Sequence, residues 1–242
     1  MSGIHRAAAT GFSRAVAEYE RGRPGYPPEA IAVLGLRPGL RVLDLAAGSG
    51  KLTRLLLEAA AEIIAVEPVA EMRAALPPGA RALDGTAESI PLGAEAVEMV
   101  TVGQAFHWFD GDAALREIHR VLAPGGRLAL VWNRRLDDDP VNRAIDAILD
   151  PHRAGTPNFR RDEWRASFER TDLFGPLEEH AFPNEQVLDA DGLADRVGSI
   201  SFVASLPDAE RAGVLDAARA LAADGPVRVP YRTEVQVAAR SS

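Results

Sequence analysis

Two carboxylates, Asp44 and Glu67, stand at the ends of apolar runs, RVLDL (41–45) and EIIAVE (62–67). Between them Ala46-Ala47-Gly48-Ser49-Gly50 offers almost no side chain. A bare backbone turning from strand into helix lets a ligand approach main-chain N–H groups closely. The acid beside it narrows the choice of ligand, because Asp44 would repel a pyrophosphate held over a helix N-terminus. Motif spacing agrees. A G-x-G-x-x-G fingerprint needs glycine where Ala46 and Lys51 stand, and a P-loop ending at Gly50-Lys51 needs Gly and Ser/Thr where Leu45 and Leu52 stand. What remains is a cationic, non-phosphorylated ligand beside Asp44, with a vicinal diol for Glu67, since a carboxylate accepts from two hydroxyls. A third chemical group, His107, follows another apolar run in GQAFHWF (103–109). An unperturbed imidazole titrates near pH 6.5. His107 is therefore a candidate to line the reacting pocket; acting as a base, orienting a partner, and packing beside Trp108 all stay open.

Such residues need a sheet to hold them. Arg41–Leu45 reads as a short buried strand after the turn RPG, and Leu52–Ala61 as the helix that follows. Residues 62–67 read as a second strand, and 69–76 as a helix stopped by Pro77-Pro78. ARALDG (80–85) is a weak third strand and 96–103 a strong fourth. Residues 112–122 read as a helix with Asp110 or Asp112 as N-cap and Pro124-Gly125-Gly126 beyond its end, and 127–133 as the fifth strand. This alternation predicts right-handed βαβ units, a parallel sheet covered on both faces, and a ligand at the carboxyl ends of its strands. After Asn133 the rhythm breaks. Residues 134–176 read as helices and loops, 177–183 as a possible strand, 189–224 as two helices, and 231–240 as a last alternating strand.

On these segments the chain resembles the class I S-adenosylmethionine-dependent methyltransferases of small-molecule type. VLDLAAGSGKLTRLL is similar to their first motif, with Ala46 in place of the usual first glycine. AVEPVAEMRAAL, DGTAESIPL, AVEMVTVGQAFHWFD and EIHRVLAPGGRLALVWN resemble the next four, in order. Looser likeness extends to YERGRPGYP (19–27), DADGLADRVGSISFVASLP and VPYRTEVQVAAR, which resemble a subgroup similar to trans-aconitate methyltransferase. The resemblance implies a Rossmann-like, doubly wound, mostly parallel seven-stranded α/β sheet with helical insertions and an N-terminal lid. It implies S-adenosylmethionine as donor, S-adenosylhomocysteine as product, and a small-molecule acceptor. Carried onto this chain, it places Asp44, Ala46, Gly48 and Gly50 at the methionine part, Glu67 at the ribose, and Met72 with Thr86-Ala87-Glu88 at the adenine. Gln104 faces the methionine moiety. Tyr19, Arg23 and Tyr26 belong to the lid, and Trp108, Arg196 and Ser199 to the acceptor side. The arginines at 23, 134, 135, 196 and 232 fall near pocket segments and make an anionic acceptor conceivable. A single domain is expected, with 1–40 as arm, 41–133 as cofactor-binding core and 134–242 as sheet completion and substrate-shaping insertions. The rival is a module of the same fold that binds the nucleoside without catalysis.

Composition bounds the partners. The 242 residues carry a net charge of −8 with scattered basic residues, which disfavours nucleic acid and anionic membrane. No stretch approaches the roughly 18 apolar residues of a membrane span. There is no cysteine, so disulfides and thiolate metal sites are excluded, and no metal is expected. The start lacks the apolar core of a signal peptide, which points to the cytoplasm.

Overall fold

The computed structural model describes residues 16–59, 62–153 and 163–242. In chain order its main elements are α1 (Val16–Gly22), α2 (Pro28–Ala32), β1 (Arg41–Leu45), α3 (Lys51–Ala59), β2 (Glu62–Val66), α4 (Ala70–Ala74) and β3 (Arg81–Leu83). Then come β4 (Val97–Gly103), α5 (Gly111–Val121), β5 (Leu122–Arg135), α6 (Pro140–Leu149) and α7 (Ala166–Glu169). The chain closes with β6 (Glu178–Leu188), α8 (Ala190–Gly198), α9 (Ser201–Ala204), α10 (Asp208–Ala220) and β7 (Val227–Ala239). The described residues form one seven-stranded sheet in the order β3-β2-β1-β4-β5-β7-β6. Strands β1 to β5 run parallel to one another, and β7 runs antiparallel to both β5 and β6. The Rossmann-like α/β architecture implied by the resemblance is present.

Strand pleat divides the core. Leu43, Leu45, Val100 and Val102 face one side and pack with Leu115 and Ile118 of α5 and with Phe106, Trp132 and Trp164. Val42, Met99, Ala129 and Val131 face the other and pack with α2 and α3. A third cluster joins α6, α8 and α10 to Val229 and Tyr231 at the start of β7. Parallel strands buried on both faces explain why β1 and β4 read as continuous apolar runs. Asp110 is the N-cap of α5, its carboxylate accepting from the Ala113 N–H at 3.1 Å.

Several element ends differ from the sequence reading. β5 begins at Leu122, because Leu122 pairs with Val97 before Arg127 pairs with Met99; residues between them bulge out, with Gly125 at φ 75°. β6 runs to Leu188 through Pro183, which its place at the sheet edge tolerates. β7 starts before Pro230, at a level where it pairs with β6 but not with β5. The segment 189–224 holds three helices rather than two. α8 stops where the Ser199 hydroxyl donates back to the Arg196 carbonyl at 2.7 Å, and Pro207 separates α9 from α10. No described helix is long and apolar enough to cross a membrane.

Candidate active site

The sheet opens at the carboxyl ends of β1, β2 and β4, and a cavity of about 810 Å³ lies there. Its floor is the turn after β1. Ala46, Gly48 and Gly50 all have positive φ, at 55°, 59° and 90°. Glycine suits that region, whereas Ala46 is held there at a cost of about 1–2 kcal/mol. Ala46→Gly is therefore expected to raise stability by about 1 kcal/mol in urea denaturation; a loss would mean that the Ala46 methyl packs productively. Gly48 forms the cavity wall with Ala46, while Gly50 lies behind it, where a Cβ would meet Pro77 at 2.5 Å.

Glu67 is fixed at the rim. Its Oε2 accepts the Gly48 N–H at 2.8 Å and its Oε1 accepts the Val69 N–H at 2.9 Å. Each oxygen keeps lone-pair capacity for a further donor. Burial raises the carboxyl pKa above its usual range, against the opposing pull of these two N–H groups. Met72, Thr86, Ala87, Glu88, Gln104, Trp108 and Tyr19 line the same cavity. Thr86-Ala87-Glu88-Ser89 is a tight turn closed by paired backbone bonds between Thr86 and Ser89, and Glu88 also accepts the Asp110 N–H at 3.0 Å. Asp44 is buried beneath the turn rather than in the lining. Thr53 donates to it at 2.6 Å and Thr101 at 3.2 Å, yet burial outweighs both and pushes its pKa up to about 7.

This geometry has relatives. Residues 43–130 match the model of a family described as "Methyltransferase domain". An uncharacterized methyltransferase of Mycobacterium tuberculosis (strain ATCC 25618 / H37Rv) is 41% identical over 230 residues, covering 93% of this chain and 91% of the relative. The chain belongs to the class I S-adenosylmethionine-dependent methyltransferases. An uncharacterized methyltransferase-like protein of Schizosaccharomyces pombe is 36% identical over 214 residues, with 83% of this chain and 81% of the relative covered. The fold recurs in a solved structure from Anaeromyxobacter dehalogenans, titled as a type II methyltransferase by proposal, with a TM-score of 0.68 at 23% identity, covering 90% of this chain and 97% of that one.

A second cavity of the methyltransferase, about 540 Å³, adjoins the first through Gln104, which lines both. Gln104 has a left-handed backbone at φ 59°, and its N–H donates to Val131 at 2.9 Å. Such strain in a residue that is not glycine collects at functional positions. The wall of this cavity carries Arg23, Arg135, Arg153 and Arg196 and, among the described residues, no carboxylate. The arginines named from sequence therefore divide. Arg134 follows the pleat to the opposite face of β5 from Arg135, pairs in register with Arg232, and both bind Glu234. Arg153 was beyond sequence reasoning, since only the packing of α6 brings it in. Asn133, at the carboxyl end of β5, was findable by the strand-end rule. It ties down the arm through the Gly25 carbonyl at 3.0 Å.

The predicted lid is a docked segment, as far as its described residues show. Arg21 pairs with Asp195 at 2.5 Å, Arg54 with Glu20 at 3.0 Å, and Arg211 with Glu18. A Cβ on Gly22 would lie 2.3 Å from the Asp195 carbonyl, so α1 and α8 are in backbone contact. This brings the Tyr19 ring within 4.0 Å of where a Gly48 side chain would begin. Residues 1–15 of the arm lie outside the described residues. Tyr26 lines neither cavity; it is packed under Gly103, whose missing Cβ makes room for its hydroxyl, and burial raises its pKa strongly. Ser199 is also below the surface of the second cavity, its carbonyl accepting from Arg23 at 2.8 Å.

His107 is placed apart from both cavities, in a recess with Phe106, Phe109, Glu163, Trp164 and Ser167. Its ring packs 4.8 Å from Trp108 and 5.7 Å from Trp132. Burial, and then the Arg23 charge, lower its pKa to about 3. An imidazole with that pKa is neutral at neutral pH and only weakly basic. Trp108, assigned to the acceptor side from sequence, lies in the lining of the first cavity.

Proposed function

We propose that this methyltransferase transfers the methyl group of S-adenosylmethionine to an oxygen of a small organic acceptor. The carrying observation is Gln104, which stands between the cavity at the glycine turn and a separate, cation-lined cavity. In this reading Glu67 accepts the two ribose hydroxyls, the turn at Ala46 and Gly48 takes the methionine part, and Asp44 balances its ammonium from below. Met72 and the Thr86–Glu88 turn border the adenine. The donor, when bound, supplies a methyl already activated on a sulfonium. The chain's own task is to align the acceptor and exclude water, which Tyr19 of the docked arm serves by closing over Gly48. A carboxylate acceptor needs no base, whereas an alcohol wants one. The arginine-lined second cavity suits an anionic acceptor, so a carboxylate oxygen is the favoured nucleophile. The segments around Arg23 and Arg196 that wall the second cavity are those resembling the trans-aconitate methyltransferase-like subgroup, which supports that finer placement. The test is incubation with methyl-labelled donor and a cell extract split into metabolite and macromolecule fractions. Label is expected among the metabolites as base-labile esters. Label confined to protein or nucleic acid would reject the reading.

A further inference from the structure

The second cavity holds two guanidiniums that are not neutralised. Arg196 is 7% exposed; its Nε donates to the Tyr231 hydroxyl at 2.9 Å, and its buried Nη1 has no hydrogen-bond partner. Arg23 donates through Nη2 to the Ser199 carbonyl, and its buried Nε has no partner. Neither forms an ion pair among the described residues, whereas Arg135 and Arg153 in the same wall share Asp146. The two free charges lie close enough for Arg196 to help lower the pKa of Arg23, to about 10, after burial itself. Two like charges facing a shared cavity repel each other and are costly to bury unless an anion joins them. They also lie on different elements. Arg23 follows directly on α1, the helix that carries Tyr19 over the glycine turn, and Arg196 sits in α8. Arg196 is itself held from behind, because Tyr231 donates to Gln186 at 2.8 Å and Gln186 to the Gly22 carbonyl at 3.1 Å.

We propose that Arg23 and Arg196 form a carboxylate clamp: an acceptor carboxylate bridging them fastens the arm over the donor cavity, so that acceptor binding tightens donor binding. This rests on the donor reading above. A planar carboxylate offers one oxygen to each spare nitrogen. A phosphate would bring further oxygens that these two nitrogens leave without donors. The apolar part of the wall, Leu149, Ile200 and Phe202, is suited to the carbon skeleton attached to that carboxylate. The clamped carboxylate is a handle, distinct from the oxygen that is methylated, so the acceptor carries at least two polar groups. Coupling is reciprocal, and each ligand must favour the other by the same factor.

The test is calorimetric titration of S-adenosylhomocysteine into the protein, with and without succinate as carboxylate probe, at ionic strength matched with chloride. Succinate is expected to tighten binding by about fivefold or more. Arg196→Gln and Arg23→Gln should each abolish that gain and still bind S-adenosylhomocysteine in succinate-free buffer. A thermal melt checks the folding of each variant, and if Arg196→Gln does not fold, Arg23→Gln decides. An absent succinate effect in the wild type overturns the clamp. So does a gain that persists in the folded variants, or one that phosphate produces and succinate does not. S-adenosylhomocysteine failing to bind in every buffer would reject the donor reading instead.

Discussion

Glu67→Ala is expected to weaken S-adenosylhomocysteine binding by about tenfold to a hundredfold. The two ribose hydroxyls would lose a charged acceptor, and hydrogen bonds to charged groups are worth about 1.5–3 kcal/mol. A second effect accompanies it. The Gly48 and Val69 N–H groups now bonded to the carboxylate at 2.8 Å and 2.9 Å would lose their partner, so the free protein should also melt lower. Glu67→Gln separates the two losses, because its amide oxygen still accepts from one backbone N–H but carries no charge. The acid form of Glu67 accepts less well, and its pKa is raised by burial. Donor affinity in the wild type should therefore decline on acidification at a pH above the ordinary carboxylate range, and the Glu67→Gln protein should lack that part of the decline. Calorimetry across pH measures both. Unchanged affinity in folded Glu67→Ala would mean that the ribose lies elsewhere.

The sheet was legible because its strands are short, apolar and separated by turn chemistry that sequence displays openly. Asp110 at the head of α5 and Pro77-Pro78 after α4 mark their boundaries through local physics alone. The grouping of residues around the first cavity was legible for the same reason. The turn residues and Glu67 lie next to strand ends, and topology brings strand ends together without knowledge of side-chain packing. The second cavity was not legible to that degree. It is assembled from the arm, β5, α6 and α8, and contacts this distant in sequence leave no spacing to count. Arg134 and Arg135 illustrate the limit. They are adjacent and identical in type, yet the pleat sends one toward the cavity and the other to Glu234 on the far face. His107 shows a related limit. Its position after β4 was legible, but its orientation depends on Trp132 and Trp164, which come from later elements.

Asp44→Asn is expected to make the ligand-free protein more stable at pH 8 while weakening its hold on the donor. The side chain is 1% exposed, and burial is the largest influence on it, raising its pKa from 3.8 to about 7. A raised carboxyl pKa means that the folded chain binds the proton more tightly than the unfolded chain does. Folding stability then falls as pH rises between about 4 and 7, and above that window the full penalty of the buried charge is present. About three pKa units correspond to about 4 kcal/mol, which sets the upper limit of what asparagine recovers at pH 8. At pH 4 the carboxyl is largely protonated in the folded protein and the two proteins should differ little. The hydroxyls of Thr53 and Thr101 ease the exchange, since each can turn to donate to the amide oxygen or accept from the amide nitrogen. In the proposed reading, the donor's ammonium compensates this charge on binding. That interaction should bring the pKa back down, release a proton near neutral pH, and be missing in the variant, with affinity lowered by about tenfold. Urea denaturation at pH 4 and pH 8, with and without S-adenosylhomocysteine, reads all of these. If asparagine proves less stable than aspartate at pH 8, the carboxylate is a structural anchor for the two threonines, and its place in donor binding falls away.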